Sequence, residues 1–245
     1  MACLLCDSPE QEELGNKDIY KVVKCSCCGL HFLDPIPSEQ ALNEYYNSEQ
    51  NQGHYVKVAE RKIKSGKRKL TKLIKYTKGQ AFVDIGCNAG ANTEAARQLG
   101  FSTLGIDLSE GAIDNARELF PENRFEVMTI ETLVQEVKES GNGFDLVFCS
   151  EVIEHVTDPH SFAKSLNAIM NPGAILYLTT PDAGHFCVPR DFTRWKHVHA
   201  PDHICYFNRK NLTQLLEQHG LEVIKFRWTT KTNLQVITRN IARSK

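Results

Sequence analysis

Residues 81–90 read Ala-Phe-Val-Asp-Ile-Gly-Cys-Asn-Ala-Gly, and this stretch decides the fold. Ala81 to Asp84 make a short apolar strand, and Gly86 and Gly90 let the backbone turn sharply and come close to a ligand. Asn88 belongs to the few non-glycine types that tolerate positive φ. The next segment, ANTEAARQLG, has helical spacing and closes on Gly100. Strand, glycine turn and helix form the first half of a βαβ unit. A dinucleotide fingerprint would want glycine at 86 and 88 and glycine or alanine at 91; Asn88 breaks it.

Downstream the alternation continues. STLGID is a second strand and SEGAIDNARELF a helix capped by Ser109. RFEVM, FDLVFC and AILYLTT are further strands, separated by the helical stretches ETLVQEVKES and SFAKSLNAIM. RKNLTQLLEQHG is a last helix and LEVIKFRW the last clear strand. Strands alternating with helices of this length predict an α/β fold with a doubly wound, mostly parallel sheet.

Ligands bind such sheets outside the carboxyl ends of the strands. Two acids mark that edge: Asp84 just before the glycine turn, and Asp107 at the end of the second strand. A carboxylate at the second position can accept both hydroxyls of a ribose, each hydrogen bond to the charge being worth about 1.5–3 kcal/mol. An acid before the turn disfavours a pyrophosphate and favours a cationic ligand.

VDIGCNAG, LGIDLS, FDLVFCSEVIEHV and NPGAILYLTTPD, in that order, resemble the successive motifs of class I S-adenosylmethionine-dependent methyltransferases. The likeness covers about residues 79 to 228 and is to the branch acting on ubiquinone precursors, sugars and natural products. It implies a Rossmann-like sheet with Asp84 and Gly86 facing the methionine part of the cofactor and Cys87, Asn88 and Gly90 also in the cofactor site. Asp107 would bind the ribose, Leu108 would pack on adenine, and Met128, Thr129 and Ile130 would line the adenine pocket. Ser150 would border the methyl group. The family often has glycine where Asn88 stands.

Nine cysteines are an odd number for a disulfide framework, and five fall within the first 28 residues. Cys3-x-x-Cys6 and Cys25-x-x-Cys28 can close a tetrahedral zinc site of four thiolates. Cys27 competes with Cys28, but the CxxCG form, with Gly29 for a tight knuckle, favours Cys28. Four thiolates leave no open position, so this zinc is structural. The stretch KCSCCGLHFLDPIPS followed by LNEYY resembles the zinc-binding leader of bacterial methyltransferases acting on sugars and secondary metabolites. The expected organisation is a small zinc-ribbon-like module over 1–35, a helical linker or lid over 36–78, and the methyltransferase domain over 79–245.

The chain has 245 residues, 41% of them hydrophobic, which suits one large domain or one domain and a small module. No apolar run approaches the length of a membrane span, and MACLLCDSPEQEE has no leader character, so a cytoplasmic protein is expected. The net charge of −1 hides an asymmetry. From Lys57 to Lys78 there are ten Lys/Arg and one acid, which leaves −10 on the rest of the chain. In this segment Ile63, Leu70, Leu73 and Ile74 fall at helical spacing, and Gly66 weakens its middle. Its sign favours an anionic small-molecule acceptor; the negative remainder opposes a long nucleic acid.

Methyl transfer from a sulfonium is a direct displacement in which positioning matters most and a base is optional. His155, after the fourth strand, stands in the region where it could take a proton from an acceptor. The tract Asp182 to Asn208, rich in His and aromatics, contributes His185, Trp195, His199 and His203 as an acceptor wall, and Tyr46 is a lid candidate. Pro201 lies between His199 and His203 and opposes a helical metal pair. The reading is methyl transfer to a sugar, polysaccharide precursor or secondary metabolite. The alternative is a zinc-module ribosomal RNA methyltransferase, which the basic segment would suit.

Overall fold

The computed structural model describes residues 1–38, 40–42, 59–229 and 231–241. Tyr46, the lid candidate, lies outside them, as does Tyr45. Strands β1 (Gln11–Lys17), β2 (Tyr20–Cys25) and β3 (His31–Asp34) open the chain. Helix α1 (Ala59–Thr71) then precedes the alternating series β4 (Ala81–Ile85), α2 (Ala91–Arg97), β5 (Ser102–Asp107), α3 (Glu110–Leu119), β6 (Arg124–Val127) and α4 (Ile130–Ser140). It continues as β7 (Phe144–Ser150), α5 (Pro159–Ala168) and β8 (Met170–Pro181). The short β9 (Cys205–Tyr206), α6 (Arg209–Gln218), β10 (Leu221–Phe226) and β11 (Asn233–Asn240) complete it.

The large sheet has the order β10-β11-β8-β7-β4-β5-β6. Strands β6, β5, β4, β7 and β8 are parallel, while β11 runs antiparallel between β8 and β10. The fold is α/β, as the alternation predicted. Strand order reverses at β4, whose neighbours are β5 and β7, and a switch point there opens a crevice beyond the strand ends. Residues of α4, α5 and α6 join one face of the sheet in a single core with Val83, Ile106, Val147 and Leu178. On the other face Leu70, Leu73 and α2's Ala95 and Ala96 pack with Phe82, Phe148 and Tyr177.

The basic segment forms a helix with its apolar side inward, and its middle holds because Gly66 has a packing role. A Cβ at Gly66 would stand 3.0 Å from the Ala95 Cβ and 3.0 Å from Asn92 Oδ1, so glycine lets α1 lie close on α2. Ile74 departs from the expected apolar stripe: it sits in a short 3₁₀ turn beyond the helix and is 38% exposed.

The cysteine module is built on regular strands, and it is joined to the main domain. Its strands form a second sheet, β1-β2-β3-β9, whose last member comes from the tract after β8. His31 pairs with Tyr206 and Phe32 with Cys205. Cys3, Cys25, Cys28 and Phe32 lie in the same core as the central strands. His160 Nε2 lies 3.1 Å from the Leu5 carbonyl oxygen, and its Nδ1 lies 2.9 Å from His219 Nε2, which ties the first cysteine knuckle to α5 and the end of α6. Among the described residues no helix is long and apolar enough to cross a membrane.

Candidate active site

The glycine turn forms at the end of β4. Gly86 has φ +70, and a Cβ there would stand 2.6 Å from Val152 Cγ2, so both conformation and space require glycine. Asn88 takes φ 50, the left-handed conformation that glycine often supplies. Its backbone N–H donates to Asp107 Oδ2 at 2.8 Å, and the Ser109 N–H donates to Asp107 Oδ1 at 3.0 Å. Asp107 therefore joins the turn after β4 to the turn after β5. Each oxygen keeps a further lone pair for a ligand hydroxyl.

Asp84 is buried and accepts a hydrogen bond from Thr93 Oγ1 at 3.2 Å. Burial pushes its carboxyl up to about 7; Asp107 adds to this, while Thr93 and Lys69 oppose it. A buried acid so placed gains most from a cationic ligand. Beside Asp107, Leu108 is 68% exposed, an apolar side chain presented to solvent at the crevice. Ser150 Oγ and Thr179 Oγ1 are 2.8 Å apart, and Thr179 donates to Glu151 Oε1 at 2.7 Å.

Three of the residues expected around the cofactor turn their side chains elsewhere. Cys87 is buried with Ile113, Ala116 and Phe125. Thr129 caps α4 by accepting from the Thr132 N–H at 3.2 Å, and Ile130 lies in the core. Core packing leaves only the backbone of Cys87 and Ile130 to meet a ligand, while Thr129 stays exposed with its hydroxyl engaged at the helix start.

Beyond the end of β7, His155 Nδ1 lies 2.9 Å from Asp202 Oδ1 and 3.0 Å from the Asp202 carbonyl oxygen. Burial disfavours the imidazolium, but the bond to Asp202 and the charge of Glu154 outweigh it and hold the pKa at about 9. Glu154 is fully buried and accepts from Thr180 Oγ1 at 3.0 Å. Burial raises its carboxyl to about 8. His203 stands edge-on to His155 with ring centroids 4.7 Å apart, and burial lowers its pKa to about 4. Ligand atoms of Glu154, His155 and His203 lie within 4.8 Å of one another. With Nδ1 of His155 turned to Asp202, Nε2 is left to exchange a proton.

The structure brings His155, His203 and the exposed His199 together, but not the whole predicted wall. His199 and His203 have centroids 5.6 Å apart. Trp195 is 4% exposed, packed with Phe192, Val198 and Tyr206 in the small core of the cysteine sheet. This corrects its expected place: the indole is packing material. His185 stacks on Phe186 at 4.4 Å and accepts the Cys187 N–H through Nδ1 at 3.1 Å. Sequence reasoning missed Asp202 and Glu154. Asp202 stands beside His203 in a histidine-rich tract, and a carboxylate there was the available signal.

The four cysteines converge. Cys3 and Cys28 Sγ are 3.5 Å apart, as are Cys6 and Cys25 Sγ, and all four lie within 4.8 Å of one another. A zinc ion with Zn–S bonds of about 2.3 Å needs sulfurs about 3.8 Å apart, so the set fits the ion with little adjustment. The N–H groups of Leu5 and Cys28 point to Cys3 Sγ and Cys25 Sγ at 3.5 Å each. Cys27 is exposed, outside the cluster.

A family model for a methyltransferase domain matches residues 55–225. The chain belongs to this methyltransferase family. The ubiquinone biosynthesis O-methyltransferase of Dinoroseobacter shibae is 29% identical over 157 residues, covering 60% of this chain and 62% of that protein. The enzyme of the same name from Methylococcus capsulatus is 36% identical over 103 residues, covering 42% of this chain and 44% of that protein. The chain thus spans under two thirds of the length of these relatives. Its fold is that of magnesium protoporphyrin IX methyltransferase from Synechocystis PCC 6803, solved with bound S-adenosylmethionine. That likeness has a TM-score of 0.56 at 14% identity and covers 84% of this chain and 99% of that one. A Methanosarcina mazei S-adenosylmethionine-dependent methyltransferase matches with a TM-score of 0.57 at 20% identity, covering 70% and 98%.

Proposed function

We propose that this methyltransferase binds S-adenosylmethionine at the crevice beyond β4 and β5 and passes its methyl group to a small-molecule acceptor. A sugar, a polysaccharide precursor or a secondary metabolite is the acceptor class we favour. The observation that carries the reading is the pair of acids flanking the glycine turn: buried Asp84 below it, and Asp107 bridging the two turns with lone pairs to spare. Exposed Leu108 offers adenine an apolar face. Asp84 and Gly86 would face the methionine part, and Ser150 would border the methyl group.

His155 in its neutral form, which prevails only above its raised pKa of about 9, would take a proton from the acceptor through Nε2, with Asp202 holding the ring and stabilising the imidazolium. Zinc on Cys3, Cys6, Cys25 and Cys28 would serve structure alone, fixing the sheet that packs Trp195 and seats β9. Incubation with S-adenosylmethionine labelled in the methyl group and a panel of sugar nucleotides and phenolic acids tests the proposal. Label transferred to a small acceptor supports it; transfer only to RNA fragments would replace it with the nucleic-acid reading.

A further inference from the structure

Asp84, Phe148 and Tyr177 are register neighbours on β4, β7 and β8, so their side chains share one face of the sheet. Two cations lie over this row. Lys69 Nζ stands 5.7 Å above the Phe148 ring, and Arg227 Cζ 5.9 Å above the Tyr177 ring, with the two rings only 5.0 Å apart. The backbone around Arg227 is fixed: its N–H donates to the Gln235 carbonyl at 2.7 Å, and Tyr177 Oη donates to Gln235 Oε1 at 3.0 Å. Arg227 Nη1 is buried and meets no hydrogen-bond acceptor among the described residues.

Like charges side by side on the rim of an apolar core repel, and a buried guanidinium donor without an acceptor is costly. Burial and the neighbouring Lys231 and Arg227 lower the pKa of Lys69, with Glu151 and Asp84 opposing. Glu151 cannot neutralise three cations, and its Oε1 already accepts from Thr179. Adjacent strands are about 4.8 Å apart, which puts Lys69 one strand and Arg227 two strands from Asp84. His155, the residue proposed to serve the acceptor, follows β7 directly and so lies on this same side of β4.

We propose that Lys69 and Arg227, with Lys231 beside them, form the wall of the acceptor site that receives a phosphate or carboxylate carried by the methyl acceptor. The inference rests on the methyl-transfer reading and deepens it: the acceptor is an anionic small molecule. A planar Arg fork on an aromatic face suits the paired oxygens of such a group. The exposed Arg61, Lys62, Lys64 and Arg68 have no part in it.

The test is calorimetric titration of the protein, saturated with S-adenosylhomocysteine, with inorganic pyrophosphate at constant ionic strength. Saturable binding is expected, weakened at least 10-fold in K69Q and in R227Q, less so in R227K, and unchanged in R61Q. Melting curves and S-adenosylhomocysteine affinity confirm that each variant folds, and R227K serves if R227Q does not. Absence of binding in the parent protein, or equal binding in K69Q and R227Q, overturns the inference. A loss of S-adenosylhomocysteine affinity in folded K69Q also overturns it, because the lysine would then serve the cofactor. If S-adenosylhomocysteine itself does not bind, the methyl-transfer reading fails, and titration of the ligand-free protein still decides whether the anion wall exists.

Discussion

His155 Nδ1 lies 2.9 Å from Oδ1 of Asp202, a residue 47 positions further along the chain and delivered by the tract between β8 and α6. The pair couples the end of β7 to the segment that also supplies β9. It sets both the orientation of the imidazole and its charge.

This pair gives a pH-dependent contribution to stability. The His155 pKa rises from 6.5 to about 9 in the folded chain. A raised histidine pKa stabilises fully below the unfolded value, and the contribution is lost as pH rises through the folded value. Asp202→Asn should therefore destabilise by about 1–3 kcal/mol at pH 6 and by much less at pH 10. Melting curves across that range check it, and a gap that is the same at both ends would dissociate the two residues.

Zinc should be found at one ion per chain by elemental analysis of protein purified without chelator. Cys3→Ser or Cys25→Ser should lose it, and Cys27→Ser should keep it. Because Cys3, Cys25 and Cys28 sit in the core shared with the central strands, metal loss should lower the melting temperature of the whole chain. A thermal transition confined to the first 35 residues would contradict that continuity.

The basic helix separates the small-molecule reading from the RNA one. An RNA enzyme neutralising many phosphates would lose about 10³–10⁵-fold in affinity between 50 and 200 mM salt. We expect no tight RNA binding, and Arg61→Glu, Lys64→Glu and Arg68→Glu together should cost little activity. Sub-micromolar, steeply salt-dependent binding to ribosomal RNA fragments, abolished by these changes, would reverse the assignment.

The parallel strands were legible because each is a short, largely apolar run, and Gly86, Asp107 and Ser150 mark the ends of β4, β5 and β7. The glycine turn, Asp84 and Asp107 were legible for the same reason: local geometry dictates those residue types. β11 was missed because NLQVITRN mixes polar and apolar residues and becomes a strand only between β8 and β10. The two-residue β9 exists only through pairing with β3. Trp195 was misplaced since composition shows an aromatic and not which core will take it. Lys69 and Arg227 meet the Phe148 and Tyr177 rings across the fold, and sequence spacing carries no sign of such partners.

Asp84 should make cofactor binding depend on pH. Its carboxyl, raised to about 7 by burial, must be ionised to attract the cationic methionine end of the ligand. Ionised fraction grows about 10-fold between pH 6 and 8 for such a group, and S-adenosylhomocysteine affinity should rise with it. Asp84→Asn should bind more weakly and without this slope. Calorimetry in buffers of different protonation enthalpy should register proton release on binding near pH 6.5, and its absence would free Asp84 from the role.

The most direct measurement is the affinity for S-adenosylhomocysteine in the parent protein and in Asp107→Ala. Asp107 holds the two turns of the crevice together and offers the ribose charge-assisted hydrogen bonds of about 1.5–3 kcal/mol. Binding in the parent protein, weakened at least about 10-fold by Asp107→Ala in a variant that still melts cooperatively above the assay temperature, is the predicted result. No binding to the parent protein, or unchanged affinity in the variant, would contradict the placement of the cofactor and with it the proposed methyl transfer.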